Sequence, residues 1–155
     1  MDGLPTPGEH HLRLHRLAGT WEGPESISPS PFGPGGPASG RTVFSIAAGG
    51  LFVVGDYEER KEGRVVFRGH SVFGVDPGSG ETCWYWFDSM GAPPPGPSRG
   101  RWDGDRLVLR SRFPQGEGRY TYELLGSDAY RFVLETSRDG STFHTAMTGE
   151  YRRVG

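Results

Sequence analysis

Apolar and polar residues alternate along most of the chain from residue 20 onward, in short runs separated by turn residues. Successive side chains of a β-strand point to opposite faces, so an alternation with a period of two predicts strands. We place strands at 20–28, 41–47, 51–60, 65–75, 81–89, 98–103, 106–113, 119–125, 130–138 and 141–153. The links between them are short, as in DPGSG at 76–80, and rich in turn residues. The pattern therefore predicts about ten consecutive antiparallel strands.

One stretch ahead of these strands has helical spacing. In PGEHHLRLHRLA, residues 7–18, three apolar residues (Leu14, Leu17 and Ala18) fall on one stripe, and Gly19 follows as a stop. We predict a short amphipathic helix at about 8–18 that packs against the strands. A long meander leaves two exposed edges unless it closes, so we predict an all-β, up-and-down β-barrel at about 20–153. Residues 1–155 are expected to form a single domain.

Glycine and proline are concentrated in two places. They number 26 and 13 among 155 residues, and they are dense in 24–40 and again in 92–100. Proline removes a donor from a β-ladder and glycine favours turns, so both segments are predicted to be long loops.

Composition narrows the function classes. The formal charge is −2 with 23% charged residues, so no basic surface is expected for nucleic acid or for an anionic membrane. No run approaches the length of about 20 apolar residues that a membrane-spanning helix needs, and no signal peptide is evident at the start. The single cysteine, Cys83, excludes an internal disulfide framework. We expect a cytoplasmic protein without membrane insertion.

The segment GETCWYWFDSMG, residues 80–91, carries four consecutive aromatic residues in a predicted strand. Alternation places Trp84, Trp86 and Asp88 on one face, with Cys83, Tyr85 and Phe87 on the other. We expect both faces to be covered, because exposed rings would forfeit their burial energy.

A ligand pocket inside the barrel is therefore one prediction, since such pockets combine apolar walls with few polar groups. The predicted apolar wall consists of Tyr57, Phe73, Trp84, Trp86 and Met90. Asp88 or His70 would orient the ligand. The alternative is a filled aromatic core without a cavity.

Several motifs resemble a known family. LAGTWEG at 17–23 is similar to the Gly-x-Trp signature that opens the first strand of calycin barrels, which include lipocalins, fatty-acid-binding proteins and nitrobindins. GGLFVVGDYEER, the FRGHSVFGVDPGSGETCWYWFDSMG block and RDGSTFHTAMTGEYRR resemble the bacterial family known as domain of unknown function 1579. The resemblance implies a calycin-like barrel whose N-terminal helix caps one end. It also implies that Trp21 closes the barrel floor beside a basic residue, Arg152 or Arg153.

The same resemblance suggests two ligand types. Nitrobindin-like relatives bind haem through a histidine late in the barrel, and His144 is the residue that could serve here, although a structural histidine is the alternative. Fatty-acid-binding proteins place Arg-x-Tyr on their last strand, whereas this chain has glycine at the arginine position, Gly149, followed by Tyr151. That departure argues against a carboxylate ligand of the fatty-acid type, although Arg110, Arg112 or Arg131 could substitute for the missing arginine.

The preferred hypothesis is a non-catalytic barrel that binds an apolar or aromatic small molecule and needs no cofactor or metal. No nucleophile motif or phosphate-binding loop is present in the sequence. One alternative is a haem-binding, redox or isomerase barrel that uses His144 or His70. Another is a protein-interaction or homo-oligomeric module that uses the loops at 29–40 and 91–100.

Overall fold

A computed structural model describes residues 3–155 as a closed antiparallel barrel of ten strands with one short α-helix. The helix is α1 (Glu9–His15), and the strands are β1 (Gly19–Ile27), β2 (Gly36–Ala47), β3 (Phe52–Lys61), β4 (Arg64–Val75), β5 (Thr82–Asp88), β6 (Ser98–Asp103), β7 (Arg106–Phe113), β8 (Gly116–Leu124), β9 (Ala129–Ser137) and β10 (His144–Arg153). A 3₁₀ turn at Ala48–Gly50 joins β2 to β3. Each strand pairs with the next, and β1 pairs with β10 to close the cylinder. The predicted fold is confirmed.

The first predicted loop is shorter than expected, because β2 begins at Gly36 and pairs with β1 as far as Ile27. The prolines in these strands lie where a missing N–H is tolerated. Pro24 falls between the pairs Glu22–Arg152 and Glu25–Gly149, where the β1–β10 pairing is interrupted. The loop prediction for 24–40 was therefore wrong outside residues 28–35.

One end of the barrel is filled and closed by α1. Leu14 and Leu17 are buried there, in one cluster with interior side chains of the strands. The Trp21 indole N–H donates to the carbonyl of Leu17 at 2.8 Å. The guanidinium of Arg153 lies 4.3 Å from the centroid of the Trp21 ring and donates to the carbonyls of Ala18 and Arg16. The predicted capping helix and barrel floor are thus present, with Arg153 as the basic residue.

Aromatic rings inside the barrel lie over glycines of the wall. A Cβ atom at any of these glycines would come within 2.0–2.4 Å of the neighbouring ring or its hydroxyl. The pairs are Gly55 with Phe44, Gly69 with Trp86, Gly118 with Tyr120, and Gly149 with Tyr151. The missing side chains therefore make the space that the rings occupy.

The aromatic strand β5 has the predicted alternation. Trp84, Trp86 and Asp88 pair in register with Phe73, Ser71 and Gly69 of β4 on the interior face. On the opposite face Cys83 is buried, but Tyr85 and Phe87 are 37% and 42% exposed. The expectation that both faces are covered was wrong for these two rings, because within residues 3–155 no helix or second sheet packs over them.

The seam between β5 and β6 is the shortest in the barrel. It contains only the pairs Thr82–Gly100, Cys83–Arg99 and Trp84–Ser98. Beyond Trp84, β5 has no strand partner on this side, and residues 89–97, including the proline-rich segment, form the connection to β6. Trp86 therefore lies beside an interruption in the wall.

Candidate functional site

The barrel interior changes from filled to open along its axis. Near α1 most interior side chains are buried, with Val75 and Trp102 half-buried, whereas interior-facing residues at the other end are mostly half-buried. The half-buried set is Tyr57, Glu59, Phe67, Trp86, Asp88, Tyr120, Phe132, Leu134 and Met147. Inward-facing residues can remain exposed only if solvent enters that end. We call this open end, with Glu25 at its base, the cup.

Glu25 is the most unusual residue of the cup, because it is a carboxylic acid that is only 4% exposed. The Tyr57 hydroxyl lies 2.9 Å from Oε1 and 2.7 Å from Oε2 of Glu25, and the Tyr151 hydroxyl donates to Oε2. A Cβ at Gly40 would lie 2.2 Å from the same carboxyl oxygen, so a glycine is needed beside it. The two tyrosine hydroxyls and the space left by Gly40 together accommodate this acid inside the barrel.

The surroundings of Glu25 shift its pKa towards neutral pH. Burial raises the pKa of Glu25 to about 7, although the hydrogen bonds from Tyr151 and Tyr57 act in the opposite direction. The neighbouring carboxylate of Glu59 makes a smaller contribution to this increase. Burial and the nearby Glu25 raise the pKa of both tyrosines far above the ordinary value, so both phenols stay protonated and act as donors.

Glu59 is a second acid next to this cluster. The Tyr57 hydroxyl lies 3.3 Å from Oε1 of Glu59 as well as within reach of Glu25. A phenol has one hydrogen to donate, so it cannot satisfy both carboxylates fully at once. Among residues 3–155, Glu59 forms no ion pair with a lysine, arginine or histidine.

Three rings form an aromatic wall next to these acids. The centroid of Tyr57 lies 6.0 Å from that of Trp86 and 6.4 Å from that of Phe67, and Phe67 and Trp86 are 6.5 Å apart. The Trp86 indole N–H donates to Oδ2 of Asp88 at 2.8 Å. Three of the predicted site residues, Tyr57, Trp86 and Asp88, are thus brought together in the cup.

Four other predicted residues lie elsewhere. Phe73 and Trp84 are buried in the filled part of the barrel, where the Trp84 indole N–H donates to Oγ of Ser71 at 3.0 Å. These two rings belong to the core. This section of the barrel therefore agrees with the alternative prediction of a filled aromatic interior. His70 lies on the outer wall, and its Nδ1 is 2.8 Å from Oδ1 of Asp56. Met90 is 64% exposed in the loop after β5.

The assignment of His70 and Met90 to the interior is therefore corrected. In β4 the inward positions are those of Ser71 and Phe73, so His70 faces outward. Met90 follows the end of the strand and has left the wall.

His144, the candidate haem ligand, is the first residue of β10 and pairs with Thr136 at the rim of the cup. It is exposed, and its ring has no hydrogen-bond partner in the part of the chain that the structure describes. A ligating histidine is normally oriented by a second hydrogen bond. These features do not fit a haem site well, and haem ligation by His144 stays a prediction. Within residues 3–155, no group of three histidine, cysteine or acidic side chains is placed to hold a metal ion.

Sequence reasoning missed Glu25, Glu59 and Tyr151 as site residues. A signal was present for Glu25, since Trp21, Gly23 and Glu25 share one face of the first strand. An acid at that position suggested solvent exposure, because Glu is rarely buried without partners. The partners come from strands distant in sequence, so alternation could not show them.

Two depressions lie along β1, and the smaller one is lined in part by Glu25. The larger, about 680 Å³, is lined by Glu22, Gly23, Ser39, Gly40, Arg41, Arg60 and Val154. The smaller, about 250 Å³, is lined by Pro24, Glu25, Ser26, Arg131, Thr148, Gly149 and Glu150. Neither is lined by a ring of the aromatic wall, so the cup remains the site with both apolar and polar groups facing the interior.

Comparison with known proteins places this barrel among related folds. Residues 6–153 match the family described as Protein of unknown function (DUF1579). No curated protein matches the sequence. No helix in the described residues is long and apolar enough to span a membrane.

Two solved structures have a similar fold. The crystal structure of Rv2717c from M. tuberculosis has a TM-score of 0.73 at 15% identity, over 96% of this chain and 99% of that one. The S-type phycobiliprotein lyase CPES from Guillardia theta has a TM-score of 0.66 at 10% identity, also over 96% and 99% of the two chains. At these identities the similarity shows the fold alone.

Proposed function

The chain belongs to the DUF1579 family, and we propose that it is a non-catalytic protein that binds an apolar or aromatic small molecule in the cup. The observation that carries this proposal is the half-buried aromatic wall of Tyr57, Phe67 and Trp86 at an open barrel end, next to a buried polar cluster. Ligand sites in proteins combine these two elements.

The energetics of such a wall favour a ligand. Large rings contribute most to apolar burial, and these three are not fully covered by the protein itself. A ligand that covers about 200 Å² of apolar surface here would gain about 5 kcal/mol, before the costs of association are subtracted. The deeper ring of Trp84 packs against Trp86 with 5.6 Å between centroids, and Phe73 packs against Trp84 in turn.

The geometry gives less support to catalysis. The most reactive acid, Glu25, is almost fully buried and is held by two phenols. A catalytic group must reach the reacting atom within hydrogen-bond distance, and the Tyr57 hydroxyl occupies that position on Glu25. One of the similar barrels belongs to a phycobiliprotein lyase, and that likeness is consistent with a barrel that holds a small molecule.

The test is a titration with Nile red, a neutral aromatic dye whose fluorescence increases in apolar sites. We expect saturable binding that Phe67→Ala weakens at least about tenfold, because the variant removes one ring of the wall. Phe87→Ala is the matched control, since Phe87 lies on the outer face of the same sheet and is 42% exposed. An absence of saturable binding, or an equal loss in both variants, would contradict the proposal.

A further inference from the structure

All the charged side chains of the cup are acidic. Its charged side chains are the carboxylates of Glu25, Glu59 and Asp88, and within residues 3–155 none of the three forms an ion pair with a cationic side chain. Tyr151 of the last strand donates to Glu25, and the residue two positions before it is Gly149 rather than a cation. The interior would therefore repel an anionic group.

The cup also has too few donors for its acceptors. At pH 8, where Glu25 is ionised, Glu25 and Glu59 together present four carboxylate oxygens, whereas Tyr57 and Tyr151 supply two hydroxyl hydrogens. The Tyr57 hydrogen lies between the two acids, and Glu25 is the more buried of them. Glu59, half-buried and nearer the solvent, is left with the smaller share of that hydrogen. A ligand that displaces water from the cup would leave Glu59 short of donors unless the ligand itself brings N–H groups, so binding favours a ligand with such donors.

The aromatic wall also favours a positively charged ligand. The faces of aromatic rings carry negative charge density and attract cations, most strongly for tryptophan and tyrosine. Trp86 and Tyr57 lie beside Glu59, so ring faces and a carboxylate act on the same region.

We propose that the cup selects apolar or aromatic molecules that carry a protonated amine or amidinium group, which donates to the Glu59 carboxylate and to the phenolic oxygen of Tyr57. The Tyr57 hydroxyl then donates its hydrogen bond to Glu25 alone. Glu25 acts as a positioning residue, because it orients Tyr57 and does not contact the ligand itself. This inference rests on the proposed function and adds the chemical class of the ligand.

The test uses three naphthalene compounds that differ only in their polar group: 2-naphthylmethylamine, 2-naphthylmethanol and 2-naphthoate. Calorimetric titration at pH 8 should rank the ammonium first, at least about tenfold tighter than the alcohol, with the carboxylate weakest. Glu59→Gln should lower the affinity for the ammonium about tenfold and leave the alcohol within about twofold. Glu58→Gln is the matched control, because the neighbouring Glu58 faces outward and pairs with Arg60 and Arg68.

The outcomes separate this inference from the proposed function. If none of the three compounds binds while Nile red does, the inference fails and the binding function stands; if Nile red does not bind either, both fail. If the alcohol binds and the ammonium binds no tighter, or the carboxylate binds equally well, the inference fails while the binding function stands. An equal loss in the Glu58 and Glu59 variants would also overturn it, since that result indicates a general charge effect. The ranking in the unaltered protein decides the question even if Glu59→Gln does not fold.

Discussion

Replacing the buried acid by its neutral isostere should change how the stability of the barrel depends on pH. In Glu25→Gln the Tyr151 hydroxyl can still donate to the side-chain carbonyl oxygen. The new amide N–H can donate to the Tyr57 oxygen, which frees the Tyr57 hydrogen for Glu59, 3.3 Å away. The variant therefore keeps the hydrogen bonds and removes only the ionisation.

The size of the effect follows from the pKa of Glu25. Its ordinary value of 4.5 applies to the unfolded chain, and burial raises it to about 7 in the folded barrel. The folded protein holds the proton longer than the unfolded chain. The stabilisation from this group is therefore full below pH 4.5 and is lost as the pH rises through 7. Between pH 5 and pH 8 the unfolding free energy should fall by about 2.5 kcal/mol through Glu25 alone.

Urea unfolding of both proteins at a series of pH values measures this difference. The unfolding free energy of Glu25→Gln minus that of the unaltered protein should increase by about 2.5 kcal/mol from pH 5 to pH 8. Glu58→Gln, on the outer wall, should show no such increase, since Glu58 is ion-paired and its pKa is lowered by hydrogen bonds from Arg60 and Arg68. Parallel pH profiles for Glu25→Gln and the unaltered protein would refute the burial argument.

Three further predictions address other parts of the barrel. Arg153→Ala should lower the unfolding free energy by about 2–3 kcal/mol in urea unfolding, because it loses the contact with Trp21 and the hydrogen bonds to three backbone carbonyls. The exposed Arg152→Ala should stay within about 0.5 kcal/mol, and equal effects in the two variants would contradict this. Gly69→Ala should weaken Nile red binding, because the new Cβ would lie 2.0 Å from the Trp86 ring and displace it. Gly96→Ala, whose Cβ meets open space, should leave the binding unchanged. Unchanged binding in both variants would contradict the role given to Gly69. If His144 ligates haem, hemin titration should give a Soret band that His144→Ala loses; a band of equal strength in the variant would reject that role.

The strand pattern was predictable because alternation is a local property. The period-two runs located all ten strands, and the parity in residues 82–88 correctly separated Trp86 from Tyr85. Parity does not say how far along the axis a residue lies. Phe73 and Trp86 were both predicted to line a ligand pocket, yet one lies in the filled section and the other in the open one.

The polar part of the site was not predictable from local patterns. Glu25, Tyr57 and Tyr151 come from β1, β3 and β10, and only closure of the barrel brings the first and last of these strands together. The outward position of His70 could have been predicted, because Arg68 shares its face and arginine side chains usually face solvent.

The short β5–β6 seam has a consequence for how the cylinder deforms. Three residue pairs hold β5 to β6, whereas β3 and β4 share nine. Thermal opening starts where the fewest hydrogen bonds must break together, so this side of the barrel is the one that widens first. The unpaired end of β5 carries Trp86, so widening of this seam would move one ring of the aromatic wall before any long ladder breaks.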